Sequence, residues 1–167
     1  MSKPAQFCLR CGTALGARDD GGRPRQACPA DGCGYVFYDN PLPVVAALVE
    51  LDGNIVLGRG ASWPAGMFGL ITGFLERDES PADGALRELR EELGLEGEVV
   101  RLIGVYPFPQ RNELIVAYHV RAHGEPRLSD EIVEIKRVPP GRLRPWPFGT
   151  GLAVADWLRD RAAVAAP

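Results

Sequence analysis

Apolar positions recur along this chain in two rhythms. Residues 44–51 read Val-Val-Ala-Ala-Leu-Val-Glu-Leu, an apolar run of strand length, and Asp52-Gly53 then offers a tight turn into a returning strand over 54–58. Further strands are expected over 67–72, 98–106, 113–122 and 132–138. The second rhythm is helical. Ala82, Leu86, Leu89 and Leu93 recur at helical spacing, with Ser80 to cap the helix, Pro81 at its first position, Asp83 three residues after the cap and Gly94 to end it. Thr150 is expected to cap a last helix running to about 163, with Leu152, Val154, Trp157 and Leu158 facing inward and the Ala-rich end beyond fraying. The turn-rich stretch 38–43 reads as a linker, which divides the chain into 1–40 and 41–167. The second part reads as an α/β domain with a mixed sheet between helices.

Composition narrows the class. At 167 residues and 46% hydrophobic content the chain suits one compact domain plus a small appendage. A net charge of −3 gives no general attraction to nucleic acid. No apolar stretch approaches the ~18 residues of a membrane span, and the first residues lack a hydrophobic signal region, so a cytoplasmic protein with reduced thiols is expected.

The first 40 residues hold too few apolar side chains to fold alone. They carry instead Cys8 and Cys11, then Cys28 and Cys33, with 16 residues between the two pairs. Short-spaced cysteine pairs at this distance point to a structural Zn²⁺ held in a small ribbon, with two disulfides or four unrelated thiols as the other readings. Gly12 and Gly34 follow the second cysteine of each pair and allow a tight turn around a metal. Four cysteines would close the tetrahedron, so such a zinc is structural. Arg10, Arg18, Arg23 and Arg25 are mixed with Asp19, Asp20 and Asp31, so no phosphate-tracking stripe is visible and a docking or dimer-forming role is expected of the ribbon.

Residues 73–95 carry the chemistry. Glu88, Glu91 and Glu92 stand at i, i+3 and i+4 of the expected helix, which places three carboxylates on one face. Like charges that close repel, and a hard divalent cation turns that penalty into binding. Arg87, four residues before Glu91, can hold that carboxylate. Taken alone, alternating Arg, Glu and Leu also describe an ordinary solvated helix.

The spacing beyond the helix decides between these. Gly73, Glu79, Arg87-Glu88-Leu89, Glu91-Glu92 and Gly94-Leu95 fall at the spacings of the Nudix box, and the chain resembles the Nudix hydrolase family. The resemblance implies the Nudix α/β/α sandwich with a mixed sheet, preceded by the small zinc ribbon. It implies hydrolysis of a diphosphate linked to another group. It implies one to three Mg²⁺ or Mn²⁺ ions held by Glu88, Glu91, Glu92 and the Gly73 carbonyl, with Arg87 orienting the glutamates. Glu79 would support the loop or join the outer metal shell. Glu91 or Glu88 would be the general base, with Glu134 next; Glu134 also matches an acidic metal-ligand position in the group closest in layout.

That group is the NADH pyrophosphatase-like one, which likewise carries a ribbon in front of the hydrolase. Tyr106-Pro107-Phe108-Pro109-Gln110 resembles part of its proline-aromatic signature, and Thr72-Gly73-Phe74-Leu75-Glu76 resembles its A-G-F-V-E phrase. Phe74, Tyr106, Phe108 and Gln110 are therefore candidate substrate contacts, with Tyr106 and Phe108 stacking on a nicotinamide or adenine ring. Both aromatics would equally pack a loop onto a sheet, and the Ser and Gln of the signature are replaced. A dinucleotide such as NADH is the expected substrate, with ADP-ribose, a nucleotide-capped RNA end and a non-catalytic nucleotide-sensing module as the alternatives, and a homodimer is expected from the resemblance. His119 and His123 lack a partner at ligand spacing and are expected to be structural.

Overall fold

A computed structural model describes residues 5–165. The chain forms two compact units. One is built by the residues up to Pro41 together with Gln110–Asn112, the other by Leu42–Pro109 and the chain from Glu113 onward.

The first unit holds a three-stranded antiparallel sheet of β1 (Gly16–Asp20), β2 (Arg23–Ala27) and β3 (Val36–Phe37). Cys8, Ala27 and Cys28 are its buried residues of low polarity, which is too little to constitute an ordinary core.

The second unit is a six-stranded sheet between two helices. Its strands are β4 (Leu42–Leu51), β5 (Asn54–Gly60), β6 (Ile71–Phe74), β7 (Glu96–Phe108), β8 (Glu113–His123) and β9 (Ile132–Val138), ordered β7-β8-β4-β5-β9 with β6 paired to β4. β4 runs parallel to β8 along its whole length and antiparallel to β5 and β6. A strand with neighbours on both edges and a helix over each face must be apolar throughout, and Val44–Val49 are all buried. Val45, Ala47, Val49 and Ile71 pack beneath α1 (Pro81–Leu93) with Ala85, Leu89 and Leu93. Val44, Ala46 and Leu48 pack on the opposite face with Ala153, Val154 and Trp157 of α2 (Gly151–Ala165).

Several expectations shift. The strand before the box starts at Ile71 instead of 67 and runs through Gly73 to Phe74, so Gly73 is a strand residue and the loop opens after it. In α1 the inner face is Ala85, Leu89 and Leu93, with Ala82 only half buried. In α2, Leu152 is exposed and Ala153 takes the inward position, because the helix begins at Gly151 and its face is set by Trp157 against the sheet. The fraying expected of the extreme C-terminus lies largely outside the described residues. His119 is buried, with Nε2 2.8 Å from Glu50 Oε2 and its ring edge-on to Trp157, the structural role expected of it.

Candidate active site and cysteine cluster

The local sequence of α1 explains its placement. Ser80 accepts a hydrogen bond from the Asp83 amide at 3.2 Å, Pro81 needs no donor there, and Gly94 closes the helix in the left-handed region at φ 63°. Such a cap is worth about 1 kcal/mol. The helix therefore starts and stops where its sequence says, and Glu88 and Glu92 both turn toward the sheet, where they are buried. Glu91, between them in sequence, stays largely in solvent.

β6 makes room for the first of these. Gly73 pairs with Val45 on the α1 side of the sheet, and a Cβ built on it would overlap the Glu88 carboxylate. Only glycine leaves that space.

Arg87 ties the site together. Nε and Nη2 bind both oxygens of Glu79 at 3.1 and 2.8 Å, Nη1 reaches Glu88 at 2.6 Å and Glu91 at 2.9 Å, and Nη2 also donates to the Phe74 carbonyl at 3.0 Å. Glu79 in turn accepts from the Glu76 amide at 2.8 Å. One guanidinium thus joins the β6 end, the loop and the helix through charged hydrogen bonds, each on the order of 1.5–3 kcal/mol. Its donors are spent on protein oxygens, an arrangement suited to orienting these carboxylates. Its grip holds the Glu79 carboxyl below the ordinary range.

The other carboxylates move the opposite way. Burial raises Glu88, opposed by Arg87. Burial, then the charges of Glu88, Glu131 and Glu91, push Glu92 up to about 8. Glu92 Oε2 is a buried oxygen with no hydrogen-bond partner. A buried carboxylate oxygen without a donor, near the charges of further carboxylates, is a poor protein interior and a fitting cation site.

Glu134, the further ligand expected from the resemblance, and Glu131 are placed differently. Glu134 is exposed on β9 and its carboxylate lies 2.9 Å from Arg59 Nε, so it is directed to that arginine. Glu131 instead raises both Glu88 and Glu92 by its charge. The loop after β8 explains why. The Arg127 and Ser129 amides donate to the last-turn carbonyls of Leu93 and Glu92 at 2.7 and 3.1 Å, and the Glu131 carbonyl accepts from Ala61 at 2.9 Å. These bonds tie the segment 127–131 to the end of α1 and to the β5–β6 loop.

The candidate substrate contacts divide. Phe74 is half exposed, next to the backbone that Arg87 holds. Tyr106 is buried in the α2-side core, and its hydroxyl donates to Asp156 at 2.7 Å, so it has no free face for stacking and that expectation is corrected. Phe108 is partly buried against the same core. Gln110 is exposed in a short 3-10 helix, Pro109–Arg111, in the stretch that groups with the first unit.

In the first unit, Cys8, Cys11, Cys28 and Cys33 converge with all four sulfurs within 4.8 Å of one another. The separations Cys11–Cys28 3.5 Å, Cys8–Cys33 3.6 Å and Cys11–Cys33 3.7 Å are far from the ~2 Å of a disulfide. They approach the ~3.8 Å edge of a tetrahedron with metal–sulfur bonds of ~2.3 Å. Gly12 and Gly34 have φ of 74° and 64°, the tight turns their positions suggested.

Known proteins resemble this chain over most of its length. A family model described as the NUDIX domain matches residues 40–157. The NAD-capped RNA hydrolase NudC of Mycobacterium bovis (strain BCG / Pasteur 1173P2) is 39% identical over 122 residues, covering 69% of this chain and 36% of that protein. The protein of the same description from Pseudomonas aeruginosa (strain LESB58) is 30% identical over 168 residues, covering 97% of this chain and 59% of its own length. The chain thus spans between 36% and 59% of these curated relatives. Among solved structures, a NUDIX hydrolase from Nitrosomonas europaea superposes with a TM-score of 0.76 at 25% identity, covering 94% of this chain and 93% of that one.

Proposed function

Because the chain belongs to the Nudix family, we propose that it is a metal-dependent pyrophosphohydrolase that cuts the diphosphate bridge of a nucleoside diphosphate derivative, with NAD-type dinucleotides as its substrate class. The observation that carries this reading is the buried pair Glu88 and Glu92, one oxygen of it orphaned, facing the charge of Glu131. The similarity to proteins described as NAD-capped RNA hydrolases supports the substrate class.

Glu88, Glu92, Glu131 and the Gly73 carbonyl would hold Mg²⁺ or Mn²⁺, with Glu91 within reach. A cation held there would neutralise charge on the diphosphate and acidify the attacking water. Glu91 has one oxygen on Arg87 and the rest of its carboxylate toward solvent, so we assign it the general base that takes the water's proton. Arg87 and Glu79 fix the loop against the helix, so the carboxylates are set before substrate arrives. Phe74, half exposed beside the backbone that Arg87 holds, would contact the substrate. The four cysteines would hold a structural Zn²⁺, whose binding replaces the core that the first unit lacks.

The test is turnover of NADH with Mg²⁺ or Mn²⁺, followed by chromatography of products. AMP plus the reduced nicotinamide mononucleotide is expected, and Glu91→Gln should slow it by roughly a hundredfold or more. Parallel arms with ADP-ribose and NAD-capped RNA distinguish the members of the class, through ribose 5-phosphate and 5′-monophosphate RNA respectively. A folded protein that releases no such product from any of the three overturns the reading.

A further inference from the structure

The loop between β5 and β6 carries Trp63, whose ring belongs to neither apolar cluster of the domain. It lies instead over two glycines from different segments of chain. A Cβ on Gly60 would stand 3.3 Å from its indole nitrogen, and one on Gly69 would stand 3.0 Å from the far edge of its six-membered ring. The seat exists because two neighbouring positions have no side chain. It is also braced: the Trp63 amide donates to the Gly60 carbonyl at 3.0 Å, Met67 to Pro64 at 3.1 Å, and Gly58 and Gly69 exchange two backbone hydrogen bonds. The indole is half buried by this arrangement, one side on bare backbone.

Position relates this shelf to the carboxylates. Ile71 faces the α1-side core, and Gly73, two residues on, meets Glu88. Gly69, two residues before, shares that side by strand alternation and meets Trp63. Trp63 and Glu88 are thus seated on the same face of one extended segment. Four residues of extended chain separate their two glycines, about 13 Å, a span that a ribose and its phosphates bridge. The loop is joined to the carboxylates a second time, through the Ala61 amide on the Glu131 carbonyl.

We propose that Trp63 is a stacking platform for the aromatic ring of a nucleotide whose phosphates lie at Glu88, Glu92 and Glu131. This rests on the pyrophosphohydrolase reading above and adds a specificity-determining residue to it. A large aromatic on a rigid seat binds a base through its π-face at little cost in side-chain entropy. Its neighbours at Gly60 and Gly69 supply flatness and no competing contact.

The test is binding, with AMP and nicotinamide mononucleotide as separate probes. Both are titrated into the full chain in the presence of Ca²⁺, with tryptophan emission as the readout. At least one probe should quench the wild-type emission, and Trp63→Phe should remove that quenching while calorimetry shows binding within a fewfold of wild type. Trp63→Ala should weaken binding roughly tenfold or more. Quenching that persists in Trp63→Phe, or equal affinity in all three proteins, overturns the proposal. So does loss of binding in Trp63→Phe as severe as in Trp63→Ala. If Trp63→Ala melts early, the phenylalanine variant and the quenching still decide. Because no turnover is measured, stacking that survives in a protein releasing no product would separate failure of the enzymatic reading from failure of the platform.

Discussion

Replacing Glu92 by Gln should make the metal-free protein more stable at pH 8 while destroying its response to Mg²⁺. Glu92 is pushed from the ordinary 4.5 up to about 8, first by burial and then by Glu88. The folded protein therefore holds a proton that the unfolded chain has released. The stability this contributes is complete below pH 4.5 and is lost as the pH climbs through about 8. Ionising the folded carboxylate at pH 8 costs up to about 4 kcal/mol relative to the unfolded chain, and at pH 5 under about 1 kcal/mol. A neutral amide avoids that cost. For a domain of this size each kcal/mol moves Tm by roughly 3–5 °C. In EDTA, Glu92→Gln should therefore raise Tm at pH 8 by several degrees more than at pH 5. Added Mg²⁺ should raise the Tm of wild type and leave the variant unmoved, because ligand binding to the folded state stabilises it by mass action. Differential scanning calorimetry at the two pH values, with and without Mg²⁺, reads all of this. A variant whose Tm changes equally at both pH values would refute the account of Glu92 as a buried carboxylate that charges at a cost.

Three further outcomes follow from the geometry. Gly73→Ala should displace the Glu88 carboxylate and cut NADH turnover by at least about tenfold with circular dichroism unchanged, since the added Cβ and Glu88 claim the same space. Glu131→Gln should raise the Mg²⁺ concentration needed for half-maximal activity roughly tenfold, whereas Glu134→Gln, which only releases Arg59 at the surface, should leave it unchanged. Tyr106→Phe should cost about 1 kcal/mol in urea unfolding by removing its hydrogen bond to Asp156, which keeps its ion pair with Arg159, with KM for NADH unaltered; a raised KM would return Tyr106 to the substrate.

What could be read from sequence was what is decided locally. Ser80, Pro81 and Gly94 specify α1 through contacts within a few residues, so its ends and its carboxylate spacing needed no tertiary knowledge. Glu131 and Glu134 show the limit. Glu134 lies in β9 opposite Arg59, while Glu131 precedes the strand in a segment tied by the Arg127 and Ser129 amides to the end of α1, a tie between positions far apart in sequence. Tyr106 failed for a similar reason: the proline-aromatic string suggests a recognition loop, but its hydroxyl has a partner fifty residues later on α2. The strand containing it was read as 98–106 and extends over Glu96–Phe108, because two register shifts against β8 let a longer strand bend around the sheet. Gly60 and Gly69 showed nothing in sequence, since a seat for an indole is visible only once both are seen beneath it.

The pairing of β4 bears on how the molecule comes into being on the ribosome. One flank of this strand is closed early, by β5 and β6 emerging just behind it. The other waits for β8, whose register joins Leu42 to Glu113 and Leu51 to Ala122. Until some seventy more residues have been polymerised, the most oily ribbon in the chain presents a naked row of amides and carbonyls. Nascent chains stalled within that interval are the ones expected to engage chaperones or cross-associate, and a slow codon stretch there should lower soluble yield more than one placed after His123.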